Sequence, residues 1–255
     1  PSNEESYIRF VFTAKEETPY CEKGHEVCFD QVKLCVGKPL AEPAPETPVK
    51  VEETAFIVSV TSGETVFRFN KRLSAFDSIK HSGKELLDRP LSFNFFRAPV
   101  DNDVMKNDWY AAHLNELTPR NYGVTVDSTP ISAEIKLRQS MSWGVHQPAA
   151  YRISGGALDI ECSAEFSNKV EMLPRFGIRA FLPRRFSQVE YYGYGPYESY
   201  ADKHQASWVG KFTADVSELH EDYIRPQENS SHWGCAYVEL TDGETALRFA
   251  SDPGF

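Results

Sequence analysis

Period-two alternation of apolar residues recurs along this chain more than any other pattern, and it dictates strands. Ile131, Ala133, Ile135 and Leu137 alternate with Glu134, Lys136 and Arg138. Leu158, Ile160, Cys162, Ala164 and Phe166 alternate with Asp159, Glu161 and Glu165. Successive side chains of a strand point to opposite faces, so each such stretch carries one apolar face that must be buried against another layer. The pattern appears again at Phe56, Val58 and Val60, which return over Val66–Phe69 after a Ser62-Gly63 turn, and at Val189–Tyr192, Trp233–Leu240 and Ala246–Phe249. Tyr151 and Ile153 run into Ser154-Gly155-Gly156, a hairpin signal. Asp108–Leu117 alone reads as helical, with Asn107 as its cap. Many strands without interleaved helices predict an all-β chain of packed antiparallel sheets.

The first 37 residues form a block of their own. Ile8, Phe10 and Phe12 are expected to face a core, Glu22-Lys23-Gly24-His25 to turn, and Val27 and Phe29 to return. The apolar phase then switches to Val32, Leu34 and Val36, which predicts a bulge near Asp30–Gln31. Residues 1–37 hold too few strands for a self-sufficient sandwich and read as the end of an immunoglobulin-like β-sandwich. Pro39, Pro43, Pro45 and Pro48 make residues 38–50 a semi-rigid linker of roughly 30 Å at about 3.1 Å per residue. Residues 51–255 form the second domain, and both ends of the chain read as cuts through a longer one.

A net charge of −10 argues against nucleic acid and against an anionic membrane surface as partners. No apolar run approaches the roughly 18 residues of a spanning helix. Cys21, Cys28, Cys35, Cys162 and Cys235 are odd in number and match no zinc-ligand spacing, so they are expected to be small buried apolar side chains in strands. A cysteine usage without a disulfide framework favours the cytoplasm.

The sequence contains no nucleophile elbow, phosphate-binding loop, zinc-helix motif or dinucleotide fingerprint. Acidic pairs such as Glu198 with Glu228 are available for acid–base work, but chain spacing shows no distance. His204, His220 and His232 raise a second idea, with His232 and Glu228 as acid and base. The aromatic run Tyr191-Tyr192-Gly193-Tyr194-Gly195-Pro196-Tyr197 serves either core packing or stacking on a ligand.

Three longer motifs go beyond composition. The first is Gly83-Lys84-Glu85-Leu86-Leu87 running to Asn94-Phe95-Phe96-Arg97-Ala98-Pro99-Val100-Asp101-Asn102-Asp103. The second is Leu173-Pro174-Arg175-Phe176-Gly177 running to Tyr192-Gly193-Tyr194-Gly195-Pro196-Tyr197-Glu198-Ser199-Tyr200-Ala201-Asp202-Lys203. The third is Tyr223-Ile224-Arg225-Pro226-Gln227-Glu228-Asn229. In this order they resemble the C-terminal small-chain domain of glycoside hydrolase family 2 β-galactosidases. Many relatives carry Gly where this chain has Ser230.

The resemblance implies a large antiparallel supersandwich of the galactose-mutarotase-like type. It implies a parent that hydrolyses terminal β-D-galactosides with retention through two Glu residues on a barrel domain. The parent's magnesium and sodium would lie on other domains, so this segment is expected to hold no cofactor, no metal and no catalytic residue, and to be inactive alone. Its partners would be the rest of its own chain with that barrel, a galactoside substrate through the parent, and further copies in a homo-oligomer. Arg97, Asp101, Asn102 and Asp103 are then the candidate rim of the active site, with Arg97 forked onto Asp101 or Asp103, and Glu228, His232 and Trp233 the candidate sugar-facing residues. A free-standing carbohydrate-binding module, or a mutarotase-like epimerase using His232 and Glu228, is the alternative.

Overall fold

The computed structural model describes residues 5–35, 47–167, 170–200, 202–225 and 227–251. Of the expected 38–50 linker, only residues 47–50 fall within these ranges, and Val49 already opens a strand. The chain is all-β, with antiparallel pairing throughout its named sheets. Contacts gather it into two compact units that interleave in sequence. Unit 1 draws on Pro1–Pro43, Ser187–Glu221 and Ser230–Phe255, and unit 2 on Ala44–Phe186 and Asp222–Asn229.

Unit 1 begins with the hairpin β1 (Ser6–Thr13) and β2 (Glu26–Cys35). Its connection includes the expected turn at Gly24, with φ +89°. Register runs unbroken through Arg9↔Gln31 and Phe10↔Asp30, so the bulge expected at Asp30–Gln31 does not form; the shifts lie where Leu34 and Val27 are skipped. Ile8, Phe10 and Phe12 are 40%, 46% and 56% exposed, not packed on a core as alternation suggests. The face that finds partners is the other one. Gln31 lies on it, and its side-chain amide donates to the Val209 carbonyl and accepts the Val209 N–H, both at 2.8 Å, as a strand backbone would. Arg9 stacks 3.7 Å over the Trp208 ring, and Phe29 meets the same ring edge-on at 5.4 Å. Cys28 and Cys35 sit in β2 and are exposed, and Cys21, Cys162 and Cys235 are half-buried, so the expectation of buried cysteines is corrected. A two-stranded hairpin covers only one of its faces.

Unit 2 holds β3 (Val49–Glu53), β4 (Ile57–Ser62), β5 (Thr65–Asn70), β6 (Ala75–His81) and β7 (Lys84–Glu85) as one five-stranded meander. After β8 (Arg89–Asn94) come α1 (Lys106–Ala111) and a 3-10 turn over Leu114–Glu116. A second sheet follows from β9 (Pro119–Thr129), β10 (Ser132–Met141), β11 (Val145–His146), β12 (Ala149–Ser154), β13 (Ala157–Cys162) and β14 (Glu165–Phe166). β15 (Gly177–Phe181) pairs with β8. The hairpin expected at Ser154-Gly155-Gly156 is present: β12 and β13 meet at Ser154↔Ala157, with Gly155 and Gly156 at φ +55° and +79°. Both positive angles are what a two-residue turn of this hand demands, and glycine meets them without strain.

The helical stretch departs from expectation. It starts at Lys106, after Met105 with no side-chain cap, because the Asp103 carbonyl already accepts the Lys106 N–H at 3.3 Å. It ends at Ala111, and His113, with φ +55°, separates it from the 3-10 turn while its ring lies flat on Trp143 at 3.7 Å. That contact with a distant loop overrides the local helical pattern.

The two sheets of unit 2 bury their apolar faces together. Val58, Val60, Phe67, Phe69 and Phe76 from the first meet Ala133, Ile135, Leu137, Ala149, Tyr151 and Ile153 from the second. Phe76 meets Phe69 and Tyr151 edge-on, both at 5.2 Å. The Gly156 N–H donates to the hydroxyl of Ser62, stitching one sheet to the other. Unit 1 closes with β16 (Gln188–Gly195), β17 (Trp208–Asp215), β18 (Tyr237–Thr241) and β19 (Ala246–Ala250), in the order β17-β16-β18-β19. The strand expected from Trp233 starts only at Tyr237. Among the described residues no helix is long and apolar enough to cross a membrane.

Phe76 is 1% exposed at the centre of this core. Phe76→Ala is expected to lower the unfolding free energy of unit 2 by about 3–5 kcal/mol through lost burial and a residual cavity. Val66→Ala, on the open face of the neighbouring strand at 36% exposure, is expected to cost less than about 1 kcal/mol. Urea unfolding followed by near-ultraviolet circular dichroism reads both.

Candidate functional site

In unit 2 the first motif, the opening Leu173–Gly177 of the second and the third reach one corner because two strands pair. β8 leads into Phe95–Asp103 and β15 follows Arg175-Phe176, and Asn94 stands opposite Gly177 in their register. Phe95, 3% exposed, packs its ring against Phe166 at 6.0 Å and Phe176 at 5.5 Å. That anchor fixes where the chain emerges as Phe96-Arg97, with Phe96 lying on Tyr110 at 5.4 Å.

Arg97 forks onto Asp103: Nη1 donates to Oδ2 at 2.7 Å and Nη2 to Oδ1 at 2.9 Å. Both side chains are largely shielded, at 13% and 14% exposure, where a bidentate charge-assisted pair is strong. Asp103 Oδ2 also accepts the Val100 N–H at 2.6 Å, and the guanidinium lies 5.4 Å from the buried Trp109 ring. Of the two forks open to Arg97 in the sequence, this is the one formed. Asp101 instead turns to the third motif. Its N–H donates to Gln227 Oε1 at 3.0 Å, and its carboxylate meets Arg225 Nη1 at 3.3 Å. Asn102 is exposed at the tip, and Val104 beyond it is 90% exposed.

Glu228 closes the corner by accepting from Arg175 Nη2 at 2.6 Å. Arg175, Arg225 and Gln227 thus bind the motifs together. The sequence carried them inside the quoted stretches but gave them no role, since an arginine in a loop names no partner until the fold supplies one. Asp101, Asp103 and Glu228 are each engaged by a cation, so the corner is built to hold a shape. Among the described residues, no group of three or more His, Cys, Asp and Glu side chains is arranged to hold a metal ion.

In unit 1 a second assembly surrounds Glu198. This carboxylate is 3% exposed; it pairs with Lys203 at 2.5 Å and accepts the Ser230 N–H at 2.8 Å. The Ser199 N–H donates to the Ser231 carbonyl at 2.7 Å, and the Ser199 hydroxyl bonds His204 Nδ1 at 2.5 Å. Ser230 takes φ +66°, a left-handed conformation glycine would adopt more easily. His232 tucks its ring against Tyr191 at 4.5 Å, and neither ring nitrogen finds a hydrogen-bond partner of good geometry. Burial holds its imidazole below the ordinary value, opposed by the Tyr194 backbone and the Glu198 charge. Trp233 is 55% exposed beside Tyr194 and His204. Glu228 and His232 belong to different units, and each has its own neighbours within its unit.

The depressed His232 sets a pH dependence. The unfolded chain takes up a proton near pH 6.5, whereas the folded one does so only at lower pH. Between those points the unfolded state binds more protons, so stability falls as pH falls, and levels off below the folded value. His232→Gln is expected to flatten that slope in unit 1 between about pH 7 and pH 5. Thermal unfolding across that range, monitored at the tyrosines of β16, measures it.

Comparison with known proteins places these motifs in a wider set. The family described as "Beta galactosidase small chain" matches residues 61–253. A β-galactosidase of Actinobacillus pleuropneumoniae is 32% identical over 246 residues, covering 92% of this chain and 24% of that protein. One of Staphylococcus xylosus is 30% identical over 249 residues, with the same two shares. One of Kluyveromyces lactis is 27% identical over 246 residues, covering 90% of this chain and 24% of the relative. The chain therefore spans about a quarter of the length of these relatives. All-β sheets, parts of the three motifs joined in one corner and a family match across most of the length lead to one conclusion: the chain belongs to the β-galactosidase small-chain family.

Proposed function

We propose that this chain is the non-catalytic C-terminal portion of a glycoside hydrolase family 2 β-galactosidase, which hydrolyses terminal β-D-galactosides with retention. Its part is to scaffold the enzyme and to form the rim of the active site. The observation that carries the reading is the closed corner of unit 2, where Arg97 and Asp103, Asp101 with Arg225 and Gln227, and Arg175 with Glu228 tie the first motif, the opening of the second and the third together. Every carboxylate there has a cation or an amide. Such a corner can hold the exposed segment around Asn102 and Val104 in a fixed shape. The rest of the parent chain, with its barrel, is the partner of this segment, and the whole assembles as a homo-oligomer. The epimerase reading loses support from Glu228, which is committed to Arg175.

Two outcomes test the proposal. The isolated chain is expected to hydrolyse nitrophenyl β-galactoside at least about 100-fold more slowly than an intact family member, because positioning and charge stabilisation by a carboxylate pair supply most of the rate. In the full-length protein, Asp103→Ala is expected to lower kcat/KM for galactosides by roughly 0.5–2 kcal/mol of transition-state stabilisation, with a modest fall in Tm. Unchanged kinetics with a large fall in Tm would assign the corner to folding alone.

A further inference from the structure

We propose that unit 1 carries a saccharide-stacking site centred on Trp233. The class of ligand rests on the galactoside reading above. Trp233 is 55% exposed, yet the fold fixes the loop that presents it. Its carbonyl accepts the Tyr194 N–H at 3.1 Å, and the Ser231 carbonyl accepts the Ser199 N–H at 2.7 Å. The Ser230 N–H is held by the buried Glu198 carboxylate, which Lys203 pairs. Left-handed backbone brackets the segment, at Ser230 with φ +66° and at Gly234 with φ +61°. Glycine is favoured at 234, since a Cβ there would stand 3.0 Å from the Tyr194 ring. Strained backbone held in place by a buried carboxylate marks a segment ordered for a purpose beyond packing, because its largest side chain stays in water.

The indole is framed by two rings, Tyr194 at 5.3 Å and His204 at 4.7 Å between centroids. The Ser199 hydroxyl occupies His204 Nδ1, so Nε2 is the remaining polar atom on that edge. The exposed Asp202 and Lys203 lie two and one residues before His204, so the aromatic surface has a polar border. A flat apolar face with a polar edge fits a neutral pyranoside, which has one face of C–H groups and a rim of hydroxyls. An apolar protein partner would need a wider apolar patch. The net charge of −10 disfavours an anionic ligand. Because the ring and its loop are already ordered, little conformational freedom is lost on binding. A single stacked sugar is expected to bind with a Kd of about 1 mM or weaker.

The test uses the full 255-residue chain, which contains four tryptophans. Indole N–H signals are followed by two-dimensional NMR while methyl β-D-galactopyranoside is added to tens of millimolar, and saturation transfer to the sugar is measured in parallel. One indole signal is expected to move saturably, and it is the signal missing from Trp233→Tyr. Saturation transfer is expected to disappear in Trp233→Ala, to persist in Trp233→Tyr and to weaken several-fold in His204→Ala. No saturable shift, or transfer that is unchanged in Trp233→Ala, overturns the site. Galactoside hydrolysis by the full-length protein is scored separately. Hydrolysis without any Trp233 response sinks this site alone, whereas a Trp233 response without hydrolysis sinks the enzymatic reading alone.

Discussion

A sheet that is apolar on one face must find a second apolar face, and unit 2 depends on how that requirement is met. Phe67, Phe69 and Phe76 from one sheet interlock with Tyr151 and Ile153 from the other, ring edge against ring face. Each of these rings removes a large apolar area from water, and their edge-on arrangement adds specificity to that burial. Alternation within each strand then follows as a geometric consequence, with Glu134, Lys136 and Arg152 turned to solvent while Ala133, Ile135 and Ile153 turn inward.

The polar corner inherits its position from this core. Phe95 extends the buried layer beyond the end of β8, and its contacts with Phe166 and Phe176 bring the first two motifs side by side. Only after that placement do Arg97 and Asp103 lie close enough to pair, shielded from water by Trp109. The charges in the corner are matched one by one, as partly buried charges must be. The exposed side chains at its tip are therefore presented by a framework with little freedom of its own.

Unit 1 solves a different problem, since its first hairpin has only two strands. The side chain that joins it to β17 is polar: Gln31 copies a strand's donor and acceptor and pairs with Val209. Arg9 and Phe29 close the gap around Trp208. Ile8, Phe10 and Phe12 stay exposed on the opposite side. Glu198 plays the comparable role for the Ser230–Trp233 loop, a buried acceptor that gathers a cation and a backbone amide.

The strand-rich fold, the hairpin at Gly155-Gly156 and the family resemblance were legible in the residues, because period-two burial and left-handed turns are local properties. The fork from Arg97 was legible as a choice between two carboxylates, and its partner was not. Position along the chain does not decide which acid a long flexible arginine reaches; the pairing of β8 with β15 and the approach of Gln227 and Arg225 do. The helix at Lys106–Ala111 shows the same division. Its existence follows from composition, while its two ends are set by the Asp103 turn and by the stack of His113 on Trp143. The exposure of Phe10 and the burial of Glu198 also lay beyond the sequence. Hydrophobic pattern states which face seeks cover, but only the tertiary structure decides which faces find it, since cover is supplied by residues remote along the chain.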